Sequence, residues 1–107
     1  MKETIDAITV ITSAKGAVRG NHYHKDTIQW VYLITGSLKS LTQFEEEDII
    51  SQIIRPGELL KTEILEKHSL VAEEDSEFLV FTRGPRSGSS YEEDTYRTDA
   101  PLKDPND

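Results

Sequence analysis

Apolar and polar positions along the chain alternate in short runs, and no run keeps a helical period over three turns. Ile5 to Thr12 is rich in β-branched residues and reads as a strand. Gly16 and Gly20 then bracket a turn or bulge. Gln29 to Thr35 is a second strand closed by Gly36-Ser37, and Leu38 to Phe44 reads as its hairpin partner. The acidic run Glu45 to Asp48 is a solvated turn, and Ile49 to Ile54 is strand again. After Pro56-Gly57 come Leu59 to Leu65, His68 to Ala72 and Glu77 to Thr82. Short strands separated by Gly or Pro predict an all-β sandwich or barrel rather than βαβ units.

Parity within these strands assigns faces. If Gln29 points inward, Val31 and Leu33 share its face, and Trp30, Tyr32 and Ile34 lie outside. Phe78 and Phe81 have opposite parity, which puts one in the core and the other near that outer patch. Three large apolar groups on one outer face predict either a homodimer burying Trp30 and Tyr32, or cover by the chain's own tail.

Length limits the architecture to one domain, because 107 residues support one modest core. The strands occupy about residues 5–83, an irregular tail over 84–100 packs back to complete a domain of 1–100, and 101–107 is expected to be disordered. A formal charge of −8 disfavours nucleic acid as a partner. The longest apolar run, Trp30 to Ile34, is too short to span a bilayer, and Met1-Lys2-Glu3 does not begin a signal peptide. The expectation is a cytoplasmic protein without a membrane partner. With no cysteine, disulfides and thiolate chemistry are excluded.

The chemistry gathers on the histidines. Two of the three, His22 and His24, are one residue apart, so in a strand both point to the same face. Paired imidazoles fill an apolar interior poorly, since each ring nitrogen needs a partner. A divalent transition metal satisfies both. The alternative is a pair of surface histidines on a hairpin.

Spacing adds a resemblance. Gly16, His22, His24, Gln29 and Gly36 resemble the first motif of the cupin superfamily, G-x5-H-x-H-x3,4-E-x6-G, with glutamine at the acidic position. Laid from Gly57, the second motif, G-x5-P-x-G-x2-H-x3-N, puts its histidine at His68, with Glu63, Leu65 and Ala72 in place of its proline, glycine and asparagine. The resemblance implies a cupin jelly-roll barrel (a double-stranded β-helix) with a pocket at one mouth. It also implies metal ligands at His22, His24, Gln29 and His68, for Zn, Ni, Fe or Mn. A neutral Gln29 leaves a bound dication more Lewis-acidic and held less tightly. It equally suits the cupins that have lost their metal, in which histidines act as acid or base.

Within the cupins, Arg19-Gly20-x-His22-x-His24-Lys25, then Gln29 and Gly36-Ser37, resembles a segment of the dTDP-sugar 3,4-ketoisomerases, relatives of the dTDP-4-dehydrorhamnose 3,5-epimerases. The tail Tyr91 to Arg97 is loosely similar to the ending of those enzymes, and Gly20 to His24 to cupin domains of capsular-polysaccharide epimerases. This implies an isomerase or epimerase of keto-sugar nucleotides in polysaccharide or deoxysugar biosynthesis, with His22 or His24 moving a proton next to a ketone. Its substrate-binding candidates are Arg19, Tyr23, Lys61 and Arg83, Arg83 belonging to a basic island with Arg86. Two alternatives stand beside it: a metal-dependent cupin of other, dioxygenase-type chemistry on a small organic acid or diketone, and a non-catalytic sugar- or metal-binding module. An apolar, tyrosine-poor pocket favours the dioxygenase reading, and basic residues at the mouth favour the keto-sugar reading.

Overall fold

The computed structural model describes residues 4–84 and 94–106. They form nine strands: β1 Ala7–Ser13, β2 Val18–His24, β3 Ile28–Thr35, β4 Leu38–Gln43, β5 Ile50–Ile54, β6 Leu59–Thr62, β7 Lys67–Ala72, β8 Ser76–Arg83 and β9 Thr95–Arg97. They lie in two sheets, ordered β1-β8-β3-β6 and β5-β4-β7-β2-β9, and every pairing is antiparallel. The described residues contain no helix, so none crosses a membrane as one.

The core lies between the sheets, as the alternation in β3 requires. Val31 and Leu33 are buried with Leu38, Ile54, Ala72 and Phe78. Complete burial of Leu33 and Phe78 contributes about 1.5–3 kcal/mol each before entropy is charged against it. Phe78 is the core phenylalanine, and Phe81 lies on the outer face opposite Trp30.

Three expectations are corrected. β4 is not the hairpin partner of β3; it pairs with β5 and β7 in the other sheet. The pairing of β3 with β8 slips between Leu33 and Thr35, and Gly36 then turns the chain across the sandwich at φ 96°. A Cβ at Gly36 would collide with Asp75 and Ser76, so the crossing needs glycine. Trp30 is not left for a partner to cover. It is 3% exposed within its own chain, beside Phe81 and with the Lys61 ammonium 5.7 Å from its ring centroid. Finally, Leu102 and Asp104, in the stretch expected to be disordered, pack on β2 and β4, continuing the expected packing of the tail. Thr95–Arg97 pairs with His22–His24, the Leu102 N–H donates to Asn21 Oδ1 at 2.8 Å, and Asp104 pairs with Lys39 at 2.8 Å.

Candidate metal centre and ligand cavity

A bulge in β2 builds the site. Arg19 and Gly20 pair with Leu70 and Ser69, but the next paired position is His22, opposite His68. The extra residue, Asn21, takes a left-handed φ of 60° and gives its carbonyl to the N–H and hydroxyl of Thr98. Gly20, at φ 102°, lets the strands close up: a Cβ there would lie 2.7 Å from the His68 carbonyl oxygen. The bulge precedes His22, so it does not re-aim Tyr23, which stacks on Tyr96 with centroids 5.4 Å apart.

The three imidazoles therefore converge. Ring centroids are 4.5 Å apart for His22–His68, 4.9 Å for His22–His24 and 5.3 Å for His24–His68. One ligand nitrogen from each lies within 4.8 Å of the others. His24 Nδ1 is 3.1 Å from the Asp94 carbonyl oxygen, and His68 Nδ1 is 3.1 Å from that of Glu66. A carbonyl only accepts, so both Nδ1 atoms are assigned the proton and donate, leaving Nε2 deprotonated. Nε2 of His68 is buried and has no hydrogen-bond partner among the described residues. Backbone bonds that fix the ring, with a lone pair turned into a cluster of other imidazoles, are what a metal-ligating histidine needs. The donor set fits a borderline divalent ion such as zinc, nickel or iron.

Electrostatics agree with that use. Burial pushes His22 down to about 4, helped by the neighbouring His24 and Arg97 and opposed by a bond to the Gly20 backbone. Burial, then His22, pushes His68 down to about 3, and burial lowers His24 against the opposing Asp94 contacts. All three rings are thus neutral near pH 7 and present lone pairs. No proton then competes with a metal for these lone pairs, and the lowered basicity makes the rings weak bases.

Beside the cluster opens a cavity of about 400 Å³. Its apolar walls are Ile11, Val18, Val31, Leu70, Phe78 and Val80, and its polar lining is Arg19, His22, Gln29, His68 and Arg97. Gln29 is buried on β3 with Thr62 and Thr82 as its register partners. Arg19 donates from Nε to Ser13 Oγ at 2.9 Å and from Nη2 to the Thr12 carbonyl at 3.5 Å. Both acceptors are neutral.

Of the candidate residues, the structure brings together His22, His24 and His68, and places Gln29 and Arg19 at the same cavity. Tyr23 lines a different cavity, of about 510 Å³, under the C-terminal segment. Lys61 lies on the outer face beside Trp30 and pairs with Glu63 at 3.3 Å, and Arg83 is exposed at the end of β8. Arg86 and Tyr91 lie outside the described residues. Two residues absent from the sequence-based candidates reach the site, Arg97 opposite His22 and Asp94 beside His24. The only signal for either is their place in the tail that resembles the ketoisomerase ending.

Comparison with solved structures identifies the architecture. The capsular polysaccharide assembling protein CapF from Staphylococcus aureus superposes with a TM-score of 0.79 at 16% identity, over 90% of this chain and 27% of that one. QdtA, a sugar 3,4-ketoisomerase from Thermoanaerobacterium thermosaccharolyticum in complex with TDP, gives 0.75 at 21% identity, over 89% and 68%. An oxalate decarboxylase gives 0.69 at 28% identity, over 84% and 23%. All three have cupin-type folds. This chain has the cupin fold. No protein-family model matches it, and no curated protein matches it in sequence. This cupin spans under a third of the CapF and oxalate decarboxylase chains.

Proposed function

We propose that this chain is a metal-binding cupin acting as an isomerase or epimerase on a keto-sugar nucleotide. The observation that carries the metal half is the convergence of His22, His24 and His68, with Gln29 at the same cavity. The substrate half is supported by charge. In a chain of net charge −8, the described lining of the histidine cavity holds two arginines and no carboxylate. Among the described residues Arg97 makes no ion pair, and Arg19 bonds only neutral oxygens. Two guanidiniums so placed suit a phosphate-bearing ligand. The likeness to a ketoisomerase holding TDP supports the same substrate class.

Arg19 and Arg97 would anchor the anionic group and set the sugar against the imidazoles. A bound dication would supply a Lewis acid for the ketone oxygen. Occupancy decides the part of His22, the least buried ring. Coordinated, it helps hold the ion. Uncoordinated, it takes the proton from the carbon next to the ketone. In isomerisation it returns that proton to the former carbonyl carbon while the hydroxyl proton of the enediol moves to the other oxygen, whereas inversion needs a second acid on the opposite face of the sugar. An anion at Arg97 offsets one of the charges that depress His22.

A second reading, metal-dependent chemistry of the dioxygenase type on a small organic acid, is favoured by the apolar walls and by the absence of tyrosine from the described lining. The deciding experiment incubates the protein in D2O with a TDP-linked 4-keto-sugar and follows deuterium by NMR, with the protein metal-free and metal-loaded. Deuterium next to the ketone, lost in His22→Ala, supports the keto-sugar reading. No exchange in either form rejects it.

We further propose a homodimer through the outer face of the β1-β8-β3-β6 sheet. Val10, Leu79, Tyr32 and Leu59 form one row across all four strands, and Val10 and Leu59 are 63% and 47% exposed.

A further inference from the structure

The strand that carries Arg97 is held in place by a residue whose reach into the histidine cluster is unusual. Asp94 immediately precedes β9, and its side chain is buried. Its carboxylate accepts from the Lys25 N–H at 3.0 Å, from the Asp26 N–H at 3.0 Å and from the Thr27 hydroxyl at 2.7 Å. These donors form the turn that leaves the His-x-His strand. Burial alone would favour the neutral acid, but bonds from Thr27, Asp26 and Lys25 hold the carboxyl below its ordinary range, so it stays ionised. The same residue's carbonyl oxygen is the one that receives the His24 Nδ1 proton. Side chain and main chain of one residue thus grip two successive features of β2, its last histidine and the turn after it.

We propose that Asp94 is a positioning residue for the histidine centre: its carboxylate fixes the start of β9 on the turn after His24, so that its carbonyl holds His24 as the Nδ1–H tautomer. The two residues are 70 positions apart, so this anchor reaches His24 from a distant part of the sequence. β9 is then a working part of the site rather than an edge strand added to it. The Thr98 N–H and hydroxyl, both donating to the Asn21 carbonyl, close its far end, so β9 is fastened at both ends to the strand that bears the two histidines. The inference about metal affinity rests on the proposed metal site; the inference about the tautomer does not.

The test has two readouts. In metal-free protein, long-range 1H–15N correlation spectra report the His24 tautomer directly. In metal titrations, Zn2+ and Co2+ report affinity, and the Co2+ spectrum reports ligand geometry. Asp94→Ala is expected to mix the His24 tautomers and weaken Zn2+ binding about 10–100-fold, as loss of a group that orients a ligand does. Asp94→Asn retains one acceptor oxygen but turns an amide NH2 toward backbone donors, so it should fall between. Thr27→Val removes one bond to the same carboxylate with little risk to the fold and should shift both readouts in the same direction. Asp104→Ala loosens the same tail elsewhere, at the Lys39 ion pair, and should leave both unchanged.

A folded Asp94→Ala with wild-type tautomer and wild-type Zn2+ affinity overturns the proposal. So does equal weakening by Asp104→Ala, which would mean that any loosening of the tail suffices. If Asp94→Ala does not fold, Thr27→Val decides, and wild-type behaviour there overturns it. A wild-type protein that binds neither Zn2+ nor Co2+ defeats the metal reading of the site, and the tautomer measurement still decides the role of Asp94.

Discussion

His22 and His68 face each other as paired positions on neighbouring antiparallel strands, with ring centroids 4.5 Å apart and planes at 87°. That relationship depends on one extra residue. Were Asn21 paired in the ladder instead of bulged out, the register that pairs Gly20 with Ser69 would carry on unbroken, Asn21 would meet His68, and His22 would meet Lys67. The local backbone is therefore part of the site's chemistry.

Gly20→Ala tests that dependence. A methyl at this position would lie 2.7 Å from the His68 carbonyl oxygen, at a φ of 102° that side chains resist. We expect a loss of about 1–3 kcal/mol in urea unfolding, from strain of this kind. Zn2+ affinity should fall as well, because β2 and β7 must separate between two ligands. Wild-type stability would mean that the strands do not approach so closely.

Leu65 supplies the opposite case. It occupies the position of a motif glycine, has a φ of 68° and is 53% exposed, and its N–H donates to the His24 carbonyl at 2.7 Å. Left-handed backbone costs an L-residue about 1–2 kcal/mol, and little packing opposes its removal. Leu65→Gly should therefore unfold at the same or higher urea concentration than the parent. Leu65→Val, β-branched at the same φ, should be destabilised. A clear loss of stability in Leu65→Gly would contradict the turn as described.

Much of the fold was legible because β strands show their faces locally. Gln29, Val31 and Leu33 alternate with Trp30, Tyr32 and Ile34, and the structure keeps that partition. Strand partners were less legible. β3 and β4 are adjacent in sequence and yet lie in different sheets, since the slip after Leu33 and the turn at Gly36 end their common plane. Ring convergence was anticipated by motif spacing, even with Leu65 at a glycine position. Arg97 and Asp94 were marked only by their place in the tail similar to the ketoisomerase ending, because it is the pairing of β9 with a strand some 70 residues earlier that brings them to the histidines. Trp30 was placed on the correct face, but its cover depends on Phe81 and Lys61 from two other strands.

Acid should destabilise the metal-free protein before ordinary carboxylate titration begins. Unfolded histidines titrate near 6.5, whereas folded His22 and His68 are held down at about 4 and about 3. Below pH 6.5 the unfolded chain binds protons that the folded chain refuses. Stability is then complete above about 6.5 and falls as the pH drops toward 4. Urea midpoints between pH 7.5 and 5 should show this slope, and His68→Gln should flatten it. Equal slopes in the two proteins would remove the cause assigned to it.

Dimerisation has its own check. Val10→Asp puts a charge at one end of the apolar row across β1, β8, β3 and β6 without touching the core. Light scattering should show a dimer for the parent and a monomer for the variant. A monomeric parent at high micromolar concentration would remove the proposed interface.

Metal content tests the central claim most directly. Untagged protein, prepared without chelators, should carry close to one divalent transition metal per chain by elemental mass spectrometry. His22→Ala and His68→Ala should each lose it while staying folded. Folded wild-type protein that stays empty after incubation with Zn2+, Ni2+, Fe2+ and Mn2+ would contradict the account, and the three imidazoles would then remain as a neutral acid–base cluster.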